Sequence, residues 1–222
     1  DASPLAELAE GQLQLGDTAA AMETFGRLAA DPLRTEAFAD SVRARLGSVD
    51  EDAWSAGVER GRREMTARVE RMARPRALRS HTLTVAPAGG ERRDLLAETE
   101  GRFAVVSLWS RSCGYSLQEL PQLRRLQEEL IRRGIPHAAV TDPDDPRAIE
   151  EALEEWGAPD LDVVHDVDGE VGLGLNAWTT PSHYVLGPSG LILFRARGTG
   201  HIDDVLRVVE VLSGREAAAP GG

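Results

Sequence analysis

Apolar residues recur every three or four positions through the first third of the chain, which is the spacing of amphipathic helices. The pattern predicts a helical hairpin over residues 4–31 that turns near Gly16. It predicts further helices over residues 34–46 and 50–73. We therefore expect an all-helical domain over residues 1–76.

The pattern changes after Pro75, where short apolar runs of strand length alternate with helical segments. Strands joined by helices and closed by an antiparallel hairpin indicate a mixed sheet covered on both faces, an α/β fold. We expect a domain boundary at 75–80 and a disordered tail over 214–222. The pattern predicts strands at 82–85, 103–109, 135–141, 162–165, 184–186 and 191–197, and helices at 114–133, 145–156 and 201–213.

Composition and charge exclude several classes of function. The formal net charge of −12 repels a phosphate backbone and argues against nucleic-acid binding. The histidines share no metal-ligand spacing, so we expect neither a metal site nor a cofactor. No apolar stretch is long enough to cross a bilayer, and we expect any export signal or membrane tether to lie outside the printed sequence.

Cys113 is the only cysteine, so it cannot form a disulfide within its own chain. A Cys-x-x-Cys motif uses its second thiol to resolve a mixed disulfide, and Ser116 stands at that position here. A predicted strand ending at Trp109 feeds a helix that begins near Cys113. The N–H groups at the start of a helix favour thiolate and lower the pKa of a thiol there, and Arg111 adds positive charge. The residues predict an attacking sulfur without a resolving partner.

The run from Trp109 to Pro121 resembles the active-site segment of the TlpA-like thioredoxin family, in which a Trp precedes the cysteine motif and a Glu and a Pro follow it. The segment 178–190 resembles the cis-proline loop, strand and hairpin of that family. The resemblance implies a thioredoxin-like fold over residues 80–213, with a central mixed sheet flanked by helices after the all-α domain. It also implies a bacterial, extracytoplasmic setting, because the family includes extracytoplasmic reductants.

The same resemblance implies roles for individual residues. Cys113 is the nucleophile, and Ser116 replaces the resolving cysteine. Glu119 matches a carboxylate that assists proton transfer, with a solvated acid on a helix surface as the alternative. Pro181 would be cis, and Trp109 would serve both the core and the wall of the site. The expected substrate-binding residues are Trp109, Gly114, Tyr115, Thr180 and Pro181.

The helical hairpin also resembles one tetratricopeptide repeat, because a Gly-Asp turn at Gly16 is followed by Phe25 and a closing Asp-Pro at Pro32. The match is partial, since the returning helix is one residue short and no second copy follows. A stable array needs about three copies, so we expect a small helical bundle. This domain is also a candidate surface for homodimer formation.

Two functions fit these residues. In the first, Cys113 forms mixed disulfides with a disulfide- or thiol-bearing protein or with a small thiol, and an external thiol releases it. In the second, the chain is a redox-inactive module that binds protein or peptide. A third interpretation, that Ser116 was engineered from cysteine to trap a partner, stays open at this point.

Overall fold

The structure is a computed structural model, and each of its two compact units has its own hydrophobic cluster. The units are Asp1–Met72 and Ala73–Gly222. The structure describes residues 4–34, 36–46, 48–80 and 82–218.

The described part of the first unit consists of four helices. The first two form the predicted hairpin, and the Asp17 side chain caps the second by accepting a hydrogen bond from the Ala20 N–H at 3.1 Å. The Asp50 side chain accepts two backbone N–H bonds at the start of the fourth helix. Phe25 and Trp54 belong to the apolar cluster between the helices. The helices are α1 (Pro4–Gln14), α2 (Thr18–Ala29), α3 (Glu36–Leu46) and α4 (Glu51–Met72).

Three glycines allow α2 and α4 to approach each other closely. A Cβ atom added at Gly57 of α4 would lie 2.1 Å from the carbonyl oxygen of Glu23. A Cβ atom at Gly26 of α2 would lie 2.5 Å from a backbone oxygen of α4, and one at Gly61 would lie 2.7 Å from a backbone oxygen of α2. Real Cβ atoms do not come this close to backbone atoms, so the two backbones pack together only because these side chains are missing.

The second unit is built around a five-stranded sheet. Its strands lie in the order β5 (Val163–His165), β4 (His137–Thr141), β3 (Ala104–Trp109), β6 (Ser182–Leu186) and β7 (Ile192–Arg197). Its first three strands are parallel, and β6 and β7 are antiparallel to their neighbours. The central strand β3 is buried along its whole length. The elements are β1 (Thr84–Val85), β2 (Arg93–Asp94), α5 (Leu95–Glu98), β3 (Ala104–Trp109), α6 (Gly114–Arg132), β4 (His137–Thr141), α7 (Pro146–Glu155), β5 (Val163–His165), α8 (Glu170–Gly174), β6 (Ser182–Leu186), β7 (Ile192–Arg197) and α9 (Ile202–Ala218).

The register of the sheet decides which side chains share a face. Ser107 of β3 pairs with His183 of β6, so these two polar residues lie side by side on the face that α6 covers. Val106 pairs with Tyr184, and both face the other side, where they join an apolar cluster with Leu83 of the segment before β1. The mixed sheet with helices on both faces agrees with the predicted α/β class.

The end of the chain differs from the prediction. The helix α9 runs on to Ala218, so the prediction of a disordered tail from Gly214 is wrong for residues 214–218. The residues that follow Gly214 are Arg, Glu and Ala, which all favour helix, and they outweigh the single unfavourable glycine. The rest of the predicted tail, residues 219–222, lies outside the described residues.

We predict that Gly57→Ala destabilises the helical unit. The new Cβ atom must push α2 and α4 apart, and we expect a net loss of about 1–3 kcal/mol in the free energy of unfolding. The matched control is Gly11→Ala in α1, where no atom lies within 4 Å of the added Cβ and where alanine should stabilise by up to about 1 kcal/mol. Denaturant titration and hydrogen exchange of the α2 and α4 amides would measure both. Equal effects of the two substitutions would contradict the close-packing explanation.

Candidate active site

Cys113 lies at the junction between the central strand and the long helix. After β3 ends at Trp109 the backbone turns, and Cys113 caps the N-terminus of α6 in an extended conformation. Its N–H donates to the Ser110 carbonyl at 3.0 Å, and its own carbonyl accepts from the Leu117 N–H at 3.1 Å. The residue is partly exposed. A reagent can therefore reach a sulfur that stands at a helix N-terminus.

The sulfur faces the loop that carries Pro181. The Cys113 thiol donates a hydrogen bond to the carbonyl oxygen of Thr180 at 3.3 Å. The Thr180–Pro181 peptide bond is cis, and the Pro181 carbonyl accepts a hydrogen bond from the Gly198 N–H at 2.9 Å. Cys113 thus meets two predicted site residues, Thr180 and Pro181, that are distant from it in sequence.

The surroundings of Cys113 hold its pKa below the ordinary value of a thiol. Partial burial is the largest single influence and raises the pKa, because it disfavours the charged sulfur. The Ser116 backbone N–H, the Ser116 hydroxyl, the Thr180 side chain and the Tyr115 backbone N–H all lower the pKa, and together they outweigh burial. At neutral pH more of this sulfur is thiolate than in free cysteine.

The first turn of α6 places the other residues of the motif beside the sulfur. Gly114 has open space where a Cβ atom would stand, and Tyr115 is 67% exposed. Ser116 is buried, and its hydroxyl makes no hydrogen bond of ordinary geometry, so it is available to turn toward a thiolate. Arg111 pairs with Asp144 at 2.7 Å and is not among the groups that shift the pKa of the thiol.

Glu119 lies in the interior, one helical turn after Ser116. It is 4% exposed, so the alternative of a solvated surface acid is wrong. Its Oε1 accepts a hydrogen bond from the Gly200 N–H at 2.9 Å, and its Oε2 lies 3.1 Å from Nε2 of His183. The carboxyl group therefore joins α6 to strand β6 and to the turn before α9.

A line of polar side chains continues from Glu119 through the sheet. Nδ1 of His183 lies 3.0 Å from Oγ of Ser107, which lies 3.1 Å from Nε2 of His137. Burial, helped by the nearby His183, lowers the pKa of His137 to about 3, so this ring is neutral near pH 7. Part of His137 is exposed, but its Nδ1 atom is buried and has no hydrogen-bond partner.

The donor at the start of this line follows from the neutral state of His137. A neutral ring has one N–H, and placing it on Nε2 avoids a buried donor without a partner on Nδ1. His137 then donates to Ser107, whose oxygen shares a hydrogen bond with Nδ1 of His183. Nε2 of His183 shares the next one with the carboxyl group of Glu119.

Comparisons with known proteins agree with this geometry. The thiol:disulfide interchange protein DsbE of Pseudomonas aeruginosa is 31% identical over 107 residues, which cover 48% of this chain and 57% of that protein. The protein of the same name from Pseudomonas fluorescens biotype C is 28% identical over 117 residues, which cover 53% of this chain and 62% of that protein. The chain thus spans less than two thirds of the length of these curated relatives. No protein-family model matches the chain.

Solved structures match the second unit in fold. The solution structure of a thiol:disulfide interchange protein from Bacteroides sp. has a TM-score of 0.50 and 18% identity, and covers 63% of this chain and 92% of its own. The DsbF structure from Mycobacterium tuberculosis has a TM-score of 0.50 and 18% identity, and covers 59% of this chain and 95% of its own. The second unit is a thioredoxin-like domain. The predicted fold class is therefore confirmed.

Two tryptophans of the thioredoxin-like domain have opposite environments. Trp109 is 1% exposed, so the prediction that it also forms a wall of the site is wrong: its ring belongs to the core. Trp178 is 69% exposed, two residues before Thr180. Its indole N–H donates to the side chain of Asn176 at 2.8 Å, and Asn176 adopts a left-handed φ of 53°. An aromatic side chain is thus held in solvent next to the proline loop.

Among the described residues of the thioredoxin-like domain, no three His, Cys, Asp or Glu side chains come together in a group that could hold a metal ion. The site presents one sulfur, the hydroxyl of Ser116, the carboxyl group of Glu119 and the carbonyl of Thr180. The sequence identified these four residues. It missed the roles of His183, Ser107 and His137, because these depend on the register of three strands.

We predict that His137 makes the fold sensitive to acid. Its pKa is about 3 in the folded chain and about 6.5 when unfolded, so between these values only the unfolded chain binds the proton. Proton uptake by the unfolded chain has little effect on stability above pH 6.5, and it lowers the free energy of unfolding as the pH falls toward 3. In His137→Gln the drop in unfolding free energy between pH 7 and pH 4.5 should be smaller by about 2 kcal/mol. A drop in His137→Gln as large as in the native chain would contradict this explanation.

Proposed function

We propose that the thioredoxin-like domain is a monothiol thiol–disulfide exchange protein of the TlpA type. The observation that carries the proposal is the position of the Cys113 sulfur, which is accessible at a helix N-terminus and lies 3.3 Å from the carbonyl that precedes the cis proline. The lowered pKa of Cys113 and the similarity to thiol:disulfide interchange proteins support it.

The reaction can be written with its bonds balanced. The Cys113 thiolate attacks one sulfur of a partner disulfide, a new S–S bond forms, and the other partner sulfur leaves as thiolate and takes up a proton. A second thiolate then attacks the partner sulfur of the mixed disulfide, forms a new S–S bond with it and releases Cys113 as thiolate. Because the Ser116 hydroxyl cannot do this, the releasing thiol must come from another protein or from a small thiol such as glutathione.

The surface around the sulfur suits a polypeptide partner. The backbone of Thr180 offers hydrogen bonds to an extended segment, and Gly114 leaves space above the helix start. Tyr115 and Trp178, which are two residues from Cys113 and Thr180 in the chain, provide exposed apolar surface. The partner class that fits is a disulfide- or thiol-bearing protein, and a nucleic acid is disfavoured by the net charge of −12.

We place this activity outside the cytoplasm, by analogy with the thiol:disulfide interchange proteins that the chain resembles. None of the helices in the described ranges combines the length and the apolar character needed to cross a bilayer. Membrane tethering outside this chain, a homodimer through residues 1–76 and the tetratricopeptide resemblance of that region stay predictions.

The reactivity of Cys113 tests the proposed function. We expect iodoacetamide to alkylate it faster at pH 7 than free cysteine, and oxidised glutathione to give a stable adduct that added thiol releases, as followed by mass spectrometry. Ser116→Ala should slow alkylation at pH 7, because it removes a hydroxyl that lowers the pKa of Cys113. Cys113→Ser should form no adduct. A Cys113 that reacts no faster than free cysteine would favour the redox-inactive binding module instead.

Trp178 should matter for polypeptide partners and not for small disulfides. We expect Trp178→Ala to slow mixed-disulfide formation with a peptide disulfide flanked by apolar residues by about fivefold to tenfold, since exposed aromatic anchors carry much of the energy of protein contacts. The rate with oxidised glutathione should stay unchanged. Ile131→Ala, which removes a side chain that is 66% exposed near the far end of α6, is the control. Equal slowing by both substitutions would exclude a specific contact at Trp178.

A further inference from the structure

The carboxyl group of Glu119 sits where three segments of the thioredoxin-like domain meet. Each oxygen is engaged by a different segment, Oε1 by the backbone of Gly200 and Oε2 by the ring of His183. Glu119 and His183 are 4% and 0% exposed, so solvent does not compete for these bonds. In such surroundings hydrogen bonds are strong and their loss leaves a polar group unsatisfied.

Both partners of Glu119 are connected to the proline loop. Gly200 belongs to the turn in which the Gly198 N–H donates to the Pro181 carbonyl at 2.9 Å. His183 follows Pro181 by two residues and is fixed from its other side by Ser107 of the central strand. The loop that presents the Thr180 carbonyl to Cys113 is therefore held at the Pro181 carbonyl and at His183 by contacts that lead to one carboxyl group.

Among the described residues, the Glu119 carboxyl group makes no hydrogen bond to the motif at the helix start. The hydroxyl of Ser116, one turn away, makes no hydrogen bond to Glu119, and the groups that shift the pKa of Cys113 do not include Glu119. Both oxygens of Glu119 are already engaged by neighbours. These observations favour a geometric role over the proton transfer that the family resemblance implies.

We propose that Glu119 and His183 are positioning residues, which hold the cis-proline loop so that the Thr180 backbone faces Cys113. The consequence for exchange rests on the proposed function, because the Thr180 backbone is where a polypeptide partner would bind. The structural part does not: it concerns only how the turn before α9 and the proline loop are fixed.

Glu119→Gln separates the two roles, because it keeps the shape and the hydrogen bonds but cannot carry a proton as a carboxyl group does. The amide oxygen can accept from the Gly200 N–H, and the amide N–H can donate to Nε2 of His183 when that ring carries its proton on Nδ1, where the Ser107 oxygen accepts it. We expect Glu119→Gln to exchange with a peptide disulfide within about twofold of the native rate and with an unchanged pH profile. Glu119→Leu, which keeps the volume and loses both bonds, should be about tenfold to hundredfold slower with the peptide.

Two further measurements keep the outcomes distinct. Hydrogen exchange at Gly198 and Gly200 should be slow in the native chain and in Glu119→Gln, and fast in Glu119→Leu; this readout holds even if Cys113 proves inert. Alkylation of Cys113 by iodoacetamide needs no peptide contact and reports on the thiol alone. It should keep its native rate in Glu119→Gln and slow in Glu119→Leu, because the released loop carries the Thr180 side chain that helps to lower the pKa of Cys113. Glu128→Leu, at an exposed acid of the same helix, is the control and should resemble the native chain.

Three results would overturn the proposal. A Glu119→Gln variant as slow as Glu119→Leu with an altered pH profile would assign proton transfer to the carboxyl group. Unchanged exchange of the two glycine amides in Glu119→Leu would show that the carboxyl group fixes nothing. His183→Leu should slow peptide exchange as Glu119→Leu does, and the double variant should be no slower than the slower single one. Independent, additive effects would show that the two residues do not act together.

Discussion

The buried carboxyl group of Glu119 is the constraint around which the thioredoxin-like domain is organised. A polar group of this kind is tolerated in the interior only when hydrogen-bond donors reach it, and here the donors come from a strand and a turn that are distant in sequence. Because these donors must reach the carboxyl group, α6, β6 and the turn before α9 have to lie next to one another in the folded domain. The contact between Cys113 and Thr180 is formed by the same segments.

Local patterns in the sequence predicted much of this domain. The buried strand that ends at Trp109 and the long helix that begins after Cys113 were readable from apolar runs and helical spacing, since both signals are contained in a short window. That Cys113 and Pro181 belong to one site was predicted from a resemblance to known proteins and not from such patterns. Spacing alone carries no information about two segments that are far apart in the chain.

Other features could not be predicted because they depend on how elements pair. In the sequence, Gly57 is only a residue with a low helix propensity. Its role in close packing is visible only in the structure, where α4 lies against α2. His137 and His183 become neighbours of Ser107 only once the register of three strands is known. The exposure of Trp178 is a property of the loop that holds it, and large apolar residues are more often buried.

The buried hydroxyl of Ser116 has a kinetic consequence for the proposed chemistry. A protein with two neighbouring thiols sets the lifetime of its covalent complexes itself, since its own second sulfur cuts the bond. Here Ser116 stands at the position of the second thiol, and its hydroxyl cannot cut the bond. The residence time of a captured partner would then be decided by the thiol concentration of the surroundings, and the chain would respond to the reducing capacity of its compartment.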